Sequence, residues 1–188
     1  NLGTETEKRV FGEKNAKKIL GARERSKTAP FSKWIYALAI NNVGESIAIE
    51  LAKLHENFAD LADSRLLRLI ADEGKKAKEL AGEVERLVRK NPNFKREADV
   101  EKERLHREIK ELEVELETLE TTGMAAGASK ESKDRRNSLK SRIKTREARL
   151  ATAGLSEEIG PVVAKSVLDF FASEYGRRTL KRLADLEI

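Results

Sequence analysis

Apolar and polar residues follow three different rhythms along this chain. Between Pro30 and Ile70 the apolar positions keep helical spacing. Trp34, Ile35, Leu38, Val43, Ile47, Leu51 and Leu54 make one stripe, which Phe58, Leu61, Leu66, Leu67 and Ile70 extend. Pro30 suits a helix start, and Asn41-Asn42 closing on Gly44 predicts a tight turn, because both amides can bond nearby backbone; a second helix then resumes from Ser46. Trp34 and Tyr36 sit on the apolar helix and are expected in the core rather than stacked on bases. Upstream, residues 1 to 9 read as a loop or frayed helix. Residues 13 to 27 read as a helix with Ala16, Ile19, Leu20 and Ala22 on one face and cations around the rest.

The second rhythm runs from about Ala71 to Gly154, where Phe94 is the one aromatic and charge dominates. Residues 75 to 90 read as a helix that stops before Asn91-Pro92-Asn93, since the residue ahead of a proline is pushed out of helical geometry. In 97 to 120, Leu105, Ile109, Leu112, Leu116 and Leu119 alternate steps of four and three, a heptad seam. A thinner stripe follows in 135 to 153, from Leu139, Ile143, Leu150 and Ala153, with Arg146 interrupting it. Thr121 to Asp134, with Gly123 and Gly127, is expected to be a flexible tip between the two. After Gly154 the third rhythm repeats the first: Val162, Val163, Val167, Leu168, Phe170 and Phe171, then Leu180, Leu183 and Leu186.

Charge suggests how the two long segments meet. Residues 97 to 120 hold ten acids against four bases, and residues 130 to 149 hold nine bases against three acids. The segments are complementary, so an antiparallel coiled-coil hairpin within the chain accounts for both stripes, with ion pairs choosing the orientation. Self-association or docking of a protein partner through 97–153 is the competing possibility. The expected fold is all-α: a domain formed by 1–70 and 155–188, interrupted by an inserted helical arm, 71–154.

One spacing occurs three times. Phe11-Gly12, Val43-Gly44 and Ile159-Gly160 each place an apolar residue before a glycine, an alanine four positions later (Ala16, Ala48, Ala164), and an aliphatic residue three further on (Ile19, Leu51, Val167). A helix that begins beside such a turn presents unpaired main-chain N–H groups and the positive end of its dipole, a seat for a phosphate. Several such seats can follow a nucleic-acid backbone without reading bases. The candidate DNA-binding residues are therefore Gly12, Gly44 and Gly160, the Asn41-Asn42 turn, and the cations Lys14, Lys17, Lys18, Lys33 and Lys165.

Composition narrows the classes. Of 188 residues, 38% are charged and 5% aromatic, and only three prolines interrupt the chain, which favours helix. A net charge of +5 permits nucleic-acid binding without demanding it. No cysteine is present, removing disulfides and thiolate metal sites, and the two histidines, His55 and His106, lie in unrelated regions and leave little for zinc. No run is long enough to cross a membrane and no signal-peptide core is seen, so a cytoplasmic protein is expected. The abrupt start at Asn1-Leu2-Gly3 leads us to expect a fragment of a longer protein.

Phe11-Gly12-Glu13-Lys14-Asn15-Ala16, Ser26-Lys27, Leu38 to Glu45, Ala48, and Ile159 to Ser166 resemble the helix-hairpin-helix domain of bacterial NAD-dependent DNA ligases in content, order and separation, apart from the insertion. The resemblance covers about the first 70 residues and the last 34. It implies a module that grips nicked duplex DNA through phosphates and the minor-groove side, in a protein whose NAD-derived adenylate is handled by another domain. No Lys-x-Asp-Gly nucleophile sequence and no zinc cysteines occur in this chain, so no cofactor is expected here, with NAD serving the parent enzyme. Where the family's turns usually carry a further glycine, this chain has Val10, Ala39 and Glu158. The alternatives are a structural or interaction protein whose hairpins only pack, and an autonomous enzyme, for which no nucleophile is set beside a base.

Overall fold

The computed structural model describes residues 12–72, 77–126 and 130–186. Ten helices and no strand occur among them: α1 (Glu13–Lys27), α2 (Phe31–Ala37), α3 (Glu45–Leu54), α4 (Phe58–Ala62), α5 (Arg65–Ala71), α6 (Ala77–Lys90), α7 (Pro92–Ala126), α8 (Lys130–Leu150), α9 (Pro161–Ala172) and α10 (Glu174–Asp185). The fold is all-α.

The short helices owe their starts to local caps. Asn57 accepts from the Asp60 amide at 2.9 Å, Ser64 from Leu67 at 3.2 Å and Ser173 from Gly176 at 2.9 Å, each satisfying a first-turn donor. Asn91 does the same for α7, accepting from Phe94 at 3.2 Å, while its amide donates to the Lys53 carbonyl at 2.9 Å. The boundary at Asn91-Pro92 is thus a pinned corner: α6 stops, Pro92 opens α7, and the side chain ties both to the end of α3.

One core joins the two ends of the chain. Ile35, Ala48, Leu51, Leu61 and Leu67 pack with Ala164, Val167 and Phe171, so the residues before the arm and those after it form a single buried cluster. Val84 of α6 and Phe94 of α7 belong to that cluster as well, rooting the arm in it. Between α9 and α10 the backbones come so close that a Cβ on Gly176 would lie 1.9 Å from the Phe170 carbonyl oxygen, so only glycine fits. By contrast α1 makes no extensive contact with another helix among the described residues, and Ile19 and Leu20 are exposed.

α7 and α8 lie side by side, antiparallel. Leu105, Ile109 and Leu112 of α7 and Leu139 of α8 are buried, with Leu116, Leu119, Ile143 and Leu150 partly covered. Ion pairs cross between the helices at Arg135–Glu115 (2.9 Å), Lys140–Glu120 (3.3 Å), Arg146–Glu108 (2.8 Å) and Arg149–Glu101 (2.9 Å). Arg146, which interrupts the stripe in sequence, keeps its place in the seam because Glu108 neutralises it there.

Two expectations need correction. The flexible tip expected over 121–134 is mostly helix: α7 runs to Ala126 and α8 begins at Lys130. A single helical glycine costs only about 1 kcal/mol, and the pairing of two long helices outweighs it. Tyr36, expected in the core with Trp34, is 49% exposed, whereas Trp34 is half-buried. Ile35 holds the inward position of that short helix, which leaves its sequence neighbour Tyr36 turned outward.

Candidate nucleic-acid interface

Two of the three glycine corners are near copies in backbone geometry. Gly44 precedes α3 with φ −81° and ψ −179°, and Gly160 precedes α9 with φ −83° and ψ 179°. Each glycine carbonyl accepts from the alanine amide four residues on, Ala48 at 2.9 Å and Ala164 at 3.0 Å, and both alanines are fully buried. Small side chains there let the first turn of each helix press against the core. At the first corner Gly12 accepts from Ala16 at 3.1 Å, but Ala16 is only half-buried, in keeping with the isolation of α1.

The turns ahead of the two corners also correspond. The Val43 amide donates to the Ile40 carbonyl at 3.1 Å, and the Ile159 amide to Ser156 at 3.2 Å, while Val43 and Ile159 are buried and hold the turns down. They differ at one residue. Asn42 adopts φ 62°, a left-handed conformation that asparagine tolerates, whereas Glu158 has no positive φ. Ala39, where the resembled family carries glycine, also sits at φ 50°.

The corners face outward. A Cβ added to Gly12, Gly44 or Gly160 would meet nothing within 4 Å, and no side chain caps the start of α3 or α9. The fold therefore requires glycine for neither its φ nor its room at Gly44 and Gly160. The first-turn amides beyond them have no side-chain acceptor within the helix start. Pro161 removes one of these donors at the third corner.

Lys17 pairs with Glu13 at 2.7 Å, and Lys33 is hydrogen-bonded to Glu45 across the second corner. That bond and its charge hold the Lys33 ammonium above its usual range and the Glu45 carboxyl below its own. Lys14, Lys18 and Lys165 are exposed with no carboxylate partner among the described residues. Asn41 is exposed, while Asn42 donates from Nδ2 to Ser166 Oγ of α9 at 3.0 Å. That bond ties the Asn41-Asn42 turn to the second turn of α9, the helix that Gly160 precedes and that carries Lys165. Gly12 precedes α1, which carries Lys14, Lys17 and Lys18 and makes no extensive contact with another helix among the described residues.

Sequence reasoning missed the Asn42–Ser166 bond, because a contact between residues so distant along the chain leaves no local pattern. It missed equally the role of His55, which is buried, contacts the Leu51 carbonyl through Nδ1 at 2.9 Å and Ser64 Oγ through Nε2 at 2.7 Å. With the Ser64 hydroxyl also accepting from Leu67, the ring supports the start of α5 and takes no part in the corners. No described helix is long and apolar enough to cross a membrane.

No family model matches the chain, and no solved structure does. Among curated proteins, the DNA ligase of Akkermansia muciniphila is 33% identical over 194 residues, covering 100% of this chain and 21% of the ligase. The DNA ligase of Phocaeicola vulgatus is 42% identical over 60 residues (32% of this chain, 9% of that protein), and that of Aquifex aeolicus 39% over 64 (34% and 9%). The chain thus spans about a fifth of the length of the first of these relatives and less than a tenth of the others. It is an all-helical chain with a distant, partial likeness to bacterial DNA ligases.

Proposed function

We propose that this chain is the DNA-gripping part of an NAD-dependent DNA ligase-like protein, a helix-hairpin-helix domain (1–70 with 155–188) whose glycine corners hold duplex phosphates around a nick. The observation that carries this reading is the matching backbone geometry of Gly44 and Gly160 at the starts of α3 and α9. Both use glycine where neither φ nor neighbouring atoms demand it, and both leave first-turn amides uncapped and outward. A reason outside the molecule then accounts for the missing side chain: close approach of an anion to the backbone. Lys165 and Lys18 supply charge, and Lys33 exchanges Glu45 for phosphate when DNA arrives.

In this reading 71–154 is an insertion whose α7 and α8 form an antiparallel coiled coil. Strand joining, with NAD as adenylate donor, belongs to the whole protein. This chain, with no Lys-x-Asp-Gly sequence, supplies binding and no catalysis. The alternative, a packing or protein-interaction module, draws on the Asn42–Ser166 and Lys33–Glu45 bonds, which spend two candidate ligands internally.

Fluorescence anisotropy with a nicked duplex across a salt series separates the two. Neutralising about three or four phosphates at the corners gives a log–log slope of about −3 or steeper, so affinity falls roughly 30-fold or more for each threefold rise in salt around an already weak sequence-independent constant. No binding at about 50 mM salt, or a flat salt response, would sink the DNA-gripping reading.

A further inference from the structure

We propose that one flank of α8 is a second contact for duplex DNA, lying along phosphates beyond the glycine corners; this rests on the DNA-gripping reading above. Four of the bases on α8 are taken up by carboxylates of α7: Arg135, Lys140, Arg146 and Arg149. The acidic strand leaves the rest. Lys133, Arg136 and Lys144 are exposed and have no carboxylate partner among the described residues. With Lys140, whose pair with Glu120 is itself exposed, they recur at steps of three, four and four, which places them in one row on a helix.

The row spans about 16 Å at helical rise, a length over which one strand of a duplex passes about five phosphates. Asn137 and Ser141 lie beside it, short polar residues that keep the backbone of α8 near whatever lies against it. No large apolar side chain of α8 is exposed. A protein partner ordinarily needs a buried apolar or aromatic anchor, which this flank lacks, whereas a polyanion needs none.

The arm is also fixed to the third corner. Arg149 Nε bonds Glu101 Oε1 at 2.9 Å, Glu101 Oε2 accepts the Gly154 amide at 2.6 Å, and the Arg149 guanidinium donates to the Leu155 carbonyl. Gly154, at φ 92°, packs so closely on α7 that a Cβ would lie 3.0 Å from that of Ala98. The end of α8 is thereby locked to the segment that leads through buried Leu155 and Ile159 into Gly160, so the basic row keeps a set position relative to that phosphate seat.

The test compares two triple variants of the full chain that lose equal charge from the same arm. Lys133→Gln/Arg136→Gln/Lys144→Gln empties the row, and Lys95→Gln/Arg107→Gln/Lys110→Gln removes three exposed cations of α7. On a nicked duplex of about 30 base pairs at about 0.1 M salt, the first should bind more weakly by roughly 100-fold or more, with a salt slope shallower by about 2 to 3, and the second within about twofold of the parent. Equal losses from both would show only a net-charge effect and overturn the inference. So would no loss from the first, which leaves the glycine-corner grip standing and frees the row for an acidic protein. If the unaltered chain binds no duplex even at about 50 mM salt, the grip itself fails and this contact with it. Circular dichroism of both variants should match the parent, since every replaced side chain is exposed.

Discussion

Ala39 at φ 50° pays a local cost, because an L side chain in the left-handed region crowds its own carbonyl. Replacing it with glycine removes that crowding, so Ala39→Gly should raise stability by about 0.5–1 kcal/mol despite the added freedom of the unfolded chain, read as an upward shift in urea midpoint with unchanged slope. His55 sets a pH dependence. Burial pushes its pKa below the usual imidazole value, against the opposing pulls of the Leu51 carbonyl and the Asp60 charge. The unfolded chain then takes up the proton first. Stability from this group is whole above about pH 6.5 and declines as pH falls below it. Urea unfolding at pH 7.5 and 5.5 should show that loss, and His55→Gln should flatten it. The glycines were legible in sequence because their spacing repeats; the ring of His55 was not, since its partner Ser64 is identified only by the fold of α4 and α5 around it.

Among the elements, the paired helices α7 and α8 were the most legible, since heptad spacing and opposite charge both point to the same neighbour. Their ends were not. Tertiary pairing carried α7 through Gly123 to Ala126 and let α8 begin as early as Lys130, within the stretch that local signals mark as a tip. The crossing ion pairs should differ in weight according to cover. Glu101 and Arg149 have side chains about a fifth exposed, and Glu101 also accepts the Gly154 amide, so Glu101→Ala strands a charge and a donor. It should cost about 2–3 kcal/mol. Glu120→Gln, in an exposed pair with Lys140, should change stability by less than about 0.5 kcal/mol. Thermal unfolding of the two variants side by side checks this ranking, and equal effects would mean that the arm is not held at its root.

At the scale of the molecule, the two ends of the chain share one core, and the arm leaves from it through Val84 and Phe94. The sequence showed the return of the apolar rhythm after Gly154, enough to expect a domain interrupted by an insertion. It showed nothing of how the corners would be oriented, because orientation depends on long-range packing. The Asn42–Ser166 bond ties the second turn to α9, the helix that the third corner opens, whereas α1 makes no extensive contact with another helix among the described residues.

The central claim is that Gly44 and Gly160 expose main-chain amides for phosphate, and the double variant Gly44→Ser/Gly160→Ser tests it most directly. Serine is a better N-cap than glycine, both positions have extended φ and ψ, and the space beyond each Cβ is empty, so its hydroxyl can bond the same first-turn amides a phosphate would take. The account predicts stability equal to the parent or higher by a few tenths of a kcal/mol, together with nicked-duplex affinity lower by about tenfold or more. A variant that is equally stable and binds the nicked duplex as tightly as the parent would contradict it.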